Sequence, residues 1–306
     1  MFLSLIINEL YSFAVLSLPF VVAYMYRPQF ILSITGALLC SLLIGLRTAF
    51  VHYKQADNLA KNLKYSPTGE CKDYFDEQIK EAGLNPDDIA LRYAYCDSSI
   101  AMTVFNTVMV DQMIWKSIDK DPICIEAQSI IKTHIQPTLP AHTKQLHIKI
   151  NDALTPKAQR FIFKHELGHV VDHYSWKKIA LNGVIGFAAM YSGFYVAQVL
   201  IAAYDGLLVF GAAVSAASFV GLSLTWIGNA LFKAPREKDA DLFAAQYSSK
   251  EEVEAAADFF EKYEACSQEY RKAIGDTHSE IAPRFLMGYV SGQERVQYLR
   301  KIAASK

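Results

Sequence analysis

The stretch Phe161 to Tyr174, FIFKHELGHVVDHY, holds three of the chain's eight histidines at intervals of four, with a glutamate directly after the first. On an α-helix, residues four apart share a face, so the imidazoles of His165 and His169 converge on one point. That is a metal-ligand spacing. Glu166 stands where a zinc peptidase keeps the carboxylate that works on the attacking water, and the pattern reads H-E-x-x-H. The alternative is a core helix whose histidines simply find hydrogen-bond partners. A second, independent signal has to decide between them.

The surroundings of the stretch favour a buried helix. Phe161, Ile162, Leu167, Val170 and Val171 supply apolar positions. Thr155 is placed to cap the helix, with Pro156 at its first position. Just upstream, Leu146 to Ile150 alternates apolar and polar residues and predicts a short strand.

Composition bounds the class. The 306 residues carry a net charge of −1, so there is no basic surplus to draw the chain to nucleic acid. Hydrophobic residues make up 52%, high for a soluble protein, and the excess lies in blocks. Met1 to Tyr26 has Glu9 as its only charge, and Pro28 to Leu46, Ile179 to Tyr204 and Leu207 to Phe232 have none. Each run approaches or exceeds the length that crosses a bilayer, which predicts four spans in two hairpins. The first run lacks a basic leader and a small-residue cleavage site, so it reads as a retained helix. In the second hairpin, turned at Asp205-Gly206, Ala189, Gly193 and Ala197 can face Ala213, Ala217 and Gly221, allowing close backbone approach.

Arg47, Lys54, Lys177, Lys178, Lys233 and Arg236 fall on one side of such a membrane and Arg27 on the other, which places both polar regions in the cytosol. Five cysteines, Cys40, Cys71, Cys96, Cys124 and Cys266, form no C-x-x-C pair and suit a reducing compartment. The expected organisation is an N-terminal membrane hairpin over 1–50, a catalytic region over 51–178, a second hairpin over 179–232 and a completing helical region over 233–306.

A catalytic zinc needs a third protein ligand and an open position. The metzincin solution requires a glycine at position 172 and a histidine at 175, but Asp172 and Ser175 stand there. A carboxylate from a later helix remains. After the last apolar run comes KAPREKDADLFAAQ, Lys233 to Gln246, in which Pro235 can open a helix that sets Glu237 and Asp241 one turn apart. Glu237 would ligate, and Asp241 would accept the outer N–H of a ligand histidine. A solvated, charged helix end is the bland alternative.

The order H-E-x-x-H, membrane hairpin, then Arg236-Glu237-Lys238-Asp239-Ala240-Asp241 as R-E-x-x-A-D resembles the membrane zinc metallopeptidase family that includes the heat-shock protease HtpX and the CAAX prenyl endopeptidases. The four-span layout is closer to HtpX, and the likeness runs from about Leu146 onward. The family's Asn-Ala-aromatic strand has a degraded copy in SSIAMTVFN, Ser98 to Asn106. Its D-T-H-P stretch, with an arginine six residues beyond the histidine, is matched by Asp276-Thr277-His278, with Ser279 in place of the proline and Arg284 at the offset. Arg295, in QERVQYL, competes for the arginine's place. Between these motifs, Ser249 and Glu252 form a capping box opening a long helix that Gly275 would stop.

The resemblance implies an α-rich α+β fold: four transmembrane helices and a cytosolic zincin-like metalloprotease domain with a small sheet. It implies one zinc ion per chain held by His165, His169 and Glu237, with Glu166 moving the proton of the attacking water and His278 donating to the oxyanion. His173 is expected to cap or pack rather than ligate. Expected partners are the lipid bilayer and membrane-protein or peptide substrates, in protein quality control. Two rival readings are a prenyl-protein-processing endopeptidase and a non-catalytic membrane scaffold with a structural zinc, although a structural site would normally close with a fourth Cys or His.

Overall fold

The structure, a computed structural model, describes residues 65–94, 100–111, 122–130, 133, 141–200, 204, 206–273 and 292–306. It is mostly helical with one three-stranded sheet. The chain divides into two compact units, one from Met1–Gln55 and Lys177–Asn229, the other from Ala56–Trp176 and Ala230–Lys306.

Among the described residues the first helix of the second unit is α1, Gly69–Glu81, whose buried Cys71, Phe75, Gln78 and Ile79 recur at helical spacing along one face. Strands β1 (Ala90–Ala94), β2 (Ala101–Val104) and β3 (Thr107–Asp111) follow, in spatial order β1-β3-β2. β1 pairs with β3 in parallel and β2 with β3 antiparallel, so among the described residues β2 is an edge strand. Two residues, Phe105 and Asn106, turn β2 into β3. Phe105 takes φ 53°, the positive φ that two-residue hairpin turns demand, and its amide donates to Ser175 Oγ at 2.8 Å.

Helices α2 (Pro122–Ile130) and α3 (Ala141–Ala153) come next, then α4 (Pro156–Val171), which carries the histidines. Thr155 caps α4, its side chain accepting from the Ala158 amide at 3.2 Å, with Pro156 at the start. Phe163, Leu167 and Val170 face a core shared with Phe75, Val108, Val110 and Phe259, whereas Phe161 faces a second cluster with Ala244, Val253, Val296 and Leu299. α4 is therefore wedged between two cores, and its position is over-determined by packing. Val171, expected on the buried side, is 43% exposed at the last position of α4.

Helices α5 (Tyr174–Leu200) and α6 (Gly206–Gln246) contribute to both units. α7 (Lys250–Ala273) opens on the expected capping box: the Ser249 amide donates to Glu252 Oε2 at 3.1 Å and the Glu252 amide to Ser249 Oγ at 3.2 Å. α8 (Gly292–Ser305) buries Val296, Leu299 and Ala303 against it.

Two sequence expectations are corrected. The strand expected at Leu146 to Ile150 is part of helix α3. Ile148 is 61% exposed while Ile150 is 4%, and the buried partner of Ile150 is Leu154, one turn on. A helical face, not the strand alternation, meets the core. Pro235 does not open a helix but lies inside α6. Proline inside a helix costs about 3 kcal/mol, and here Ala240, Asp241, Ala244 and Ala245, all buried, hold the following turns in place.

In the first unit, a Cβ added at Gly193 would stand 2.9 Å from both Ala213 O and Ala217 Cβ, so α5 and α6 meet backbone to backbone along the small-residue faces read from the sequence. Among the described residues one helix, α5, is long and apolar enough to cross a membrane; the apolar part of α6 found there, Gly211–Gly221, is shorter. The two N-terminal runs expected as spans lie outside the described residues.

Candidate metal centre

His165 and His169 leave α4 one turn apart, both buried, with ring centroids 4.7 Å apart and nearly perpendicular. α6 crosses α4 beside them. A Cβ at Gly168 would lie 2.9 Å from Ala240 Cα and 3.2 Å from Ala240 O, so the crossing requires glycine at this point. That contact brings the carboxylate of Glu237 to the imidazoles: Oε2 stands 3.4 Å from His165 Nε2 and Oε1 3.6 Å from His169 Nε2.

One turn further along α6, Asp241 is fully buried and its Oδ1 lies 2.8 Å from His165 Nδ1. Arg295 of α8 donates from Nε to Asp241 Oδ2 at 2.8 Å and from Nη2 to Oδ1 at 2.5 Å. Tyr298 donates its hydroxyl to Oδ2. The Arg295 guanidinium lies over the Phe260 ring, 3.7 Å from its centroid. An Asp241 clamped as an anion accepts the Nδ1–H of His165, which leaves Nε2 facing Glu237 as the position that a proton or a metal ion can occupy.

Electrostatics follow this layout. Burial alone would lower the His165 imidazole, but Asp241 and Glu237 raise it to about 10. Burial and the neighbouring His165 lower His169 to about 4. Burial opposes ionisation of Glu237, yet the two histidines and Arg295 bring it down to about 2. Asp241 is likewise held below the carboxylate range against burial, by Arg295 and His165. The pocket favours concentrated positive charge, and a metal ion competes with the His165 proton for the same place.

The donor set fits such an ion. The ligand atoms of His165, His169 and Glu237 all lie within 4.8 Å of one another. Atoms bound about 2.0–2.1 Å from one zinc at tetrahedral angles stand roughly 3.3–3.5 Å apart, close to the 3.4 and 3.6 Å that separate Glu237 from the two imidazoles. Two imidazoles and one carboxylate leave a fourth position open, as catalytic zinc requires.

Glu166 is buried next to this set, and Thr103 on β2 donates from Oγ1 to its Oε2 at 2.8 Å. Burial raises the Glu166 carboxyl, with His165 and the Thr103 bond pulling the other way. Of the two arginines considered from sequence, Arg295 is at the site; Arg284 lies outside the described residues, as does His278. His173 stands beyond the end of α4 at φ 51°, in the turn before α5, so it does not continue the helical face of His165 and His169. It is absent from the ligand group.

Thr103, Gly168, Lys164 and Tyr298 were not singled out by sequence. Tyr298 follows Arg295 by three, so a helical reading of QERVQYL would have paired them on one face. Lys164 is 1% exposed, its Nζ donating to Tyr247 O at 2.7 Å and pairing with Glu81 at 3.0 Å and Glu252 at 3.3 Å. It fastens the histidine helix to α1 and to the start of α7.

Residues 141–302 match the family model described as Peptidase family M48, more than half of the chain. No curated protein and no solved structure matches the chain. The chain belongs to peptidase family M48, a metallopeptidase family that is zinc-dependent in general, and its His165, His169 and Glu237 stand near enough to one another to hold a metal ion.

Proposed function

Starting from a chain of peptidase family M48, we propose a membrane-embedded zinc endopeptidase that cleaves membrane or membrane-associated proteins in quality control. The observation that carries this reading is the convergence of His165, His169 and Glu237 with Glu166 alongside. Zinc held by those three residues would polarise a peptide carbonyl and acidify the attacking water.

The remaining work falls to the chain's own groups. The Glu166 carboxylate accepts the water's proton and returns it to the leaving amine. Arg295 and Tyr298 keep Asp241 in place, and Asp241 keeps His165 in the tautomer that presents Nε2. β2, at the sheet edge, offers main-chain groups to an extended substrate, which would add as a further strand beside Glu166. His278 is assigned the oxyanion from the family resemblance.

The membrane part of the proposal rests on α5, which is apolar yet largely exposed, with Val184, Tyr195 and Val199 uncovered. It places four spans in two hairpins, with a catalytic half assembled from residues 51–178 and 233–306 in the cytosol.

The test uses the full chain in detergent with β-casein as a disordered substrate. Glu166→Gln should keep its zinc and lose cleavage altogether, since the residue moves a proton and holds no metal. Undiminished cleavage by that variant, or loss of its zinc, would overturn the assignment.

A further inference from the structure

Glu166 reaches the pocket on a side chain with several rotatable bonds, and α4 by itself does not fix where its carboxylate points. The contact that does comes from the sheet. Thr103 Oγ1 lies 2.8 Å from Glu166 Oε2 and 3.0 Å from the Glu166 main-chain oxygen. Strand alternation explains the aim of the hydroxyl: Met102 and Val104 pack with Met109 on one face of the sheet, so the residue between them projects from the other, toward α4. The hydroxyl has one hydrogen to give, and an ionised carboxylate is the stronger of its two acceptors.

We propose that Thr103 is a positioning residue for the peptidase reaction: its hydroxyl holds Oε2 of Glu166, leaves Oε1 for the attacking water, and ties the proton-moving carboxylate to the strand on which the substrate docks. The inference rests on the peptidase reading given above. It assigns β2 two roles, one through its outer edge and one through its α4-facing side chain. A substrate that braces the edge strand thereby braces the base. The effect belongs in turnover more than in substrate affinity, because the hydroxyl bonds the proton-moving Glu166 and not a metal ligand.

Thr103→Ala and Thr103→Ser differ by one oxygen atom, which makes their comparison the decisive one. In the full-length chain, zinc-loaded in detergent and assayed on β-casein at varied concentration, Thr103→Ala should lower kcat by about 10- to 100-fold, the usual scale for an outer-shell partner. KM, zinc stoichiometry and thermal midpoint should stay at parental values. Thr103→Ser should recover near-parental kcat. Thr103→Val, which keeps the shape of the side chain, should match the alanine variant and covers the case in which alanine loosens the strand. Parental kcat in the alanine or valine variant, a serine variant as slow as alanine, or zinc loss in any of them would overturn the inference while leaving the peptidase reading intact. A parental chain that binds zinc and cleaves nothing would remove both together.

Discussion

His165 and His169 sit one turn apart on the same helix and aim at the same carboxylate, yet they are held in different ways. The outer nitrogen of His165 bonds Asp241, itself fixed by Arg295 and Tyr298. The outer nitrogen of His169, Nδ1, is buried with no hydrogen-bond partner among the described residues, and its ring packs against Tyr174 at 4.9 Å between centroids. One imidazole is oriented by a chain of charge-assisted bonds that begins on α8; the other is oriented by shape. The difference shows that a symmetrical motif in sequence can be served by asymmetrical support in space: among the described residues, the hydrogen bonds from α8 lead to one of the two histidines.

Removing either imidazole erases the contrast, and this is the largest effect expected. His165→Ala and His169→Ala should each lose most of the zinc, as should Glu237→Ala, when metal content is measured after dialysis. Retention of zinc by the glutamate variant would show that the third ligand lies elsewhere.

The contrast itself is tested next. Asp241→Ala should weaken zinc binding by up to about 100-fold, and Tyr298→Phe, which strips one donor from that carboxylate, by about 10-fold. Competition with a chromophoric chelator reads both affinities. If Tyr298→Phe binds zinc as the parent does, the wiring from α8 carries no weight in holding His165.

The smallest change should come on the shape-held side. A ring contact of the Tyr174–His169 kind is worth about 0.5–1.5 kcal/mol, so Tyr174→Leu should cost zinc affinity about 2- to 10-fold. A loss in Tyr174→Leu as large as that in Asp241→Ala would mean that packing supports His169 as firmly as hydrogen bonding supports His165, and the distinction would collapse.

What the sequence disclosed follows the same division. His165, His169, Glu237 and Asp241 were legible because each pair obeys a one-turn spacing within its own helix, and Thr155 and Ser249 because capping is local. Thr103 and Tyr298 were hidden because their partners lie 63 and 57 residues away, at distances no periodicity reports. The segment at Leu146 to Ile150 misled because five alternating residues satisfy a strand and one helix turn alike, and only the core on one side of Ile150 and Leu154 decides. Pro235 misled for the opposite reason: a strong local rule was overruled by the packing of the four buried residues that follow it.

The crossing at Gly168 and Ala240 has a further consequence, for the kind of ion the pocket admits. Side chains can repack to widen a cavity, but two helix backbones already in contact cannot be drawn closer, and the cores on either side of α4 resist their parting. The donor triangle is thereby given a nearly fixed calibre. Calcium, which seeks six to eight oxygens at about 2.3–2.6 Å, finds too few donors and too small a ring. The two-helix contact thus works as a size gauge against calcium, while magnesium, which matches zinc in size, is disfavoured by the two imidazole nitrogens of His165 and His169.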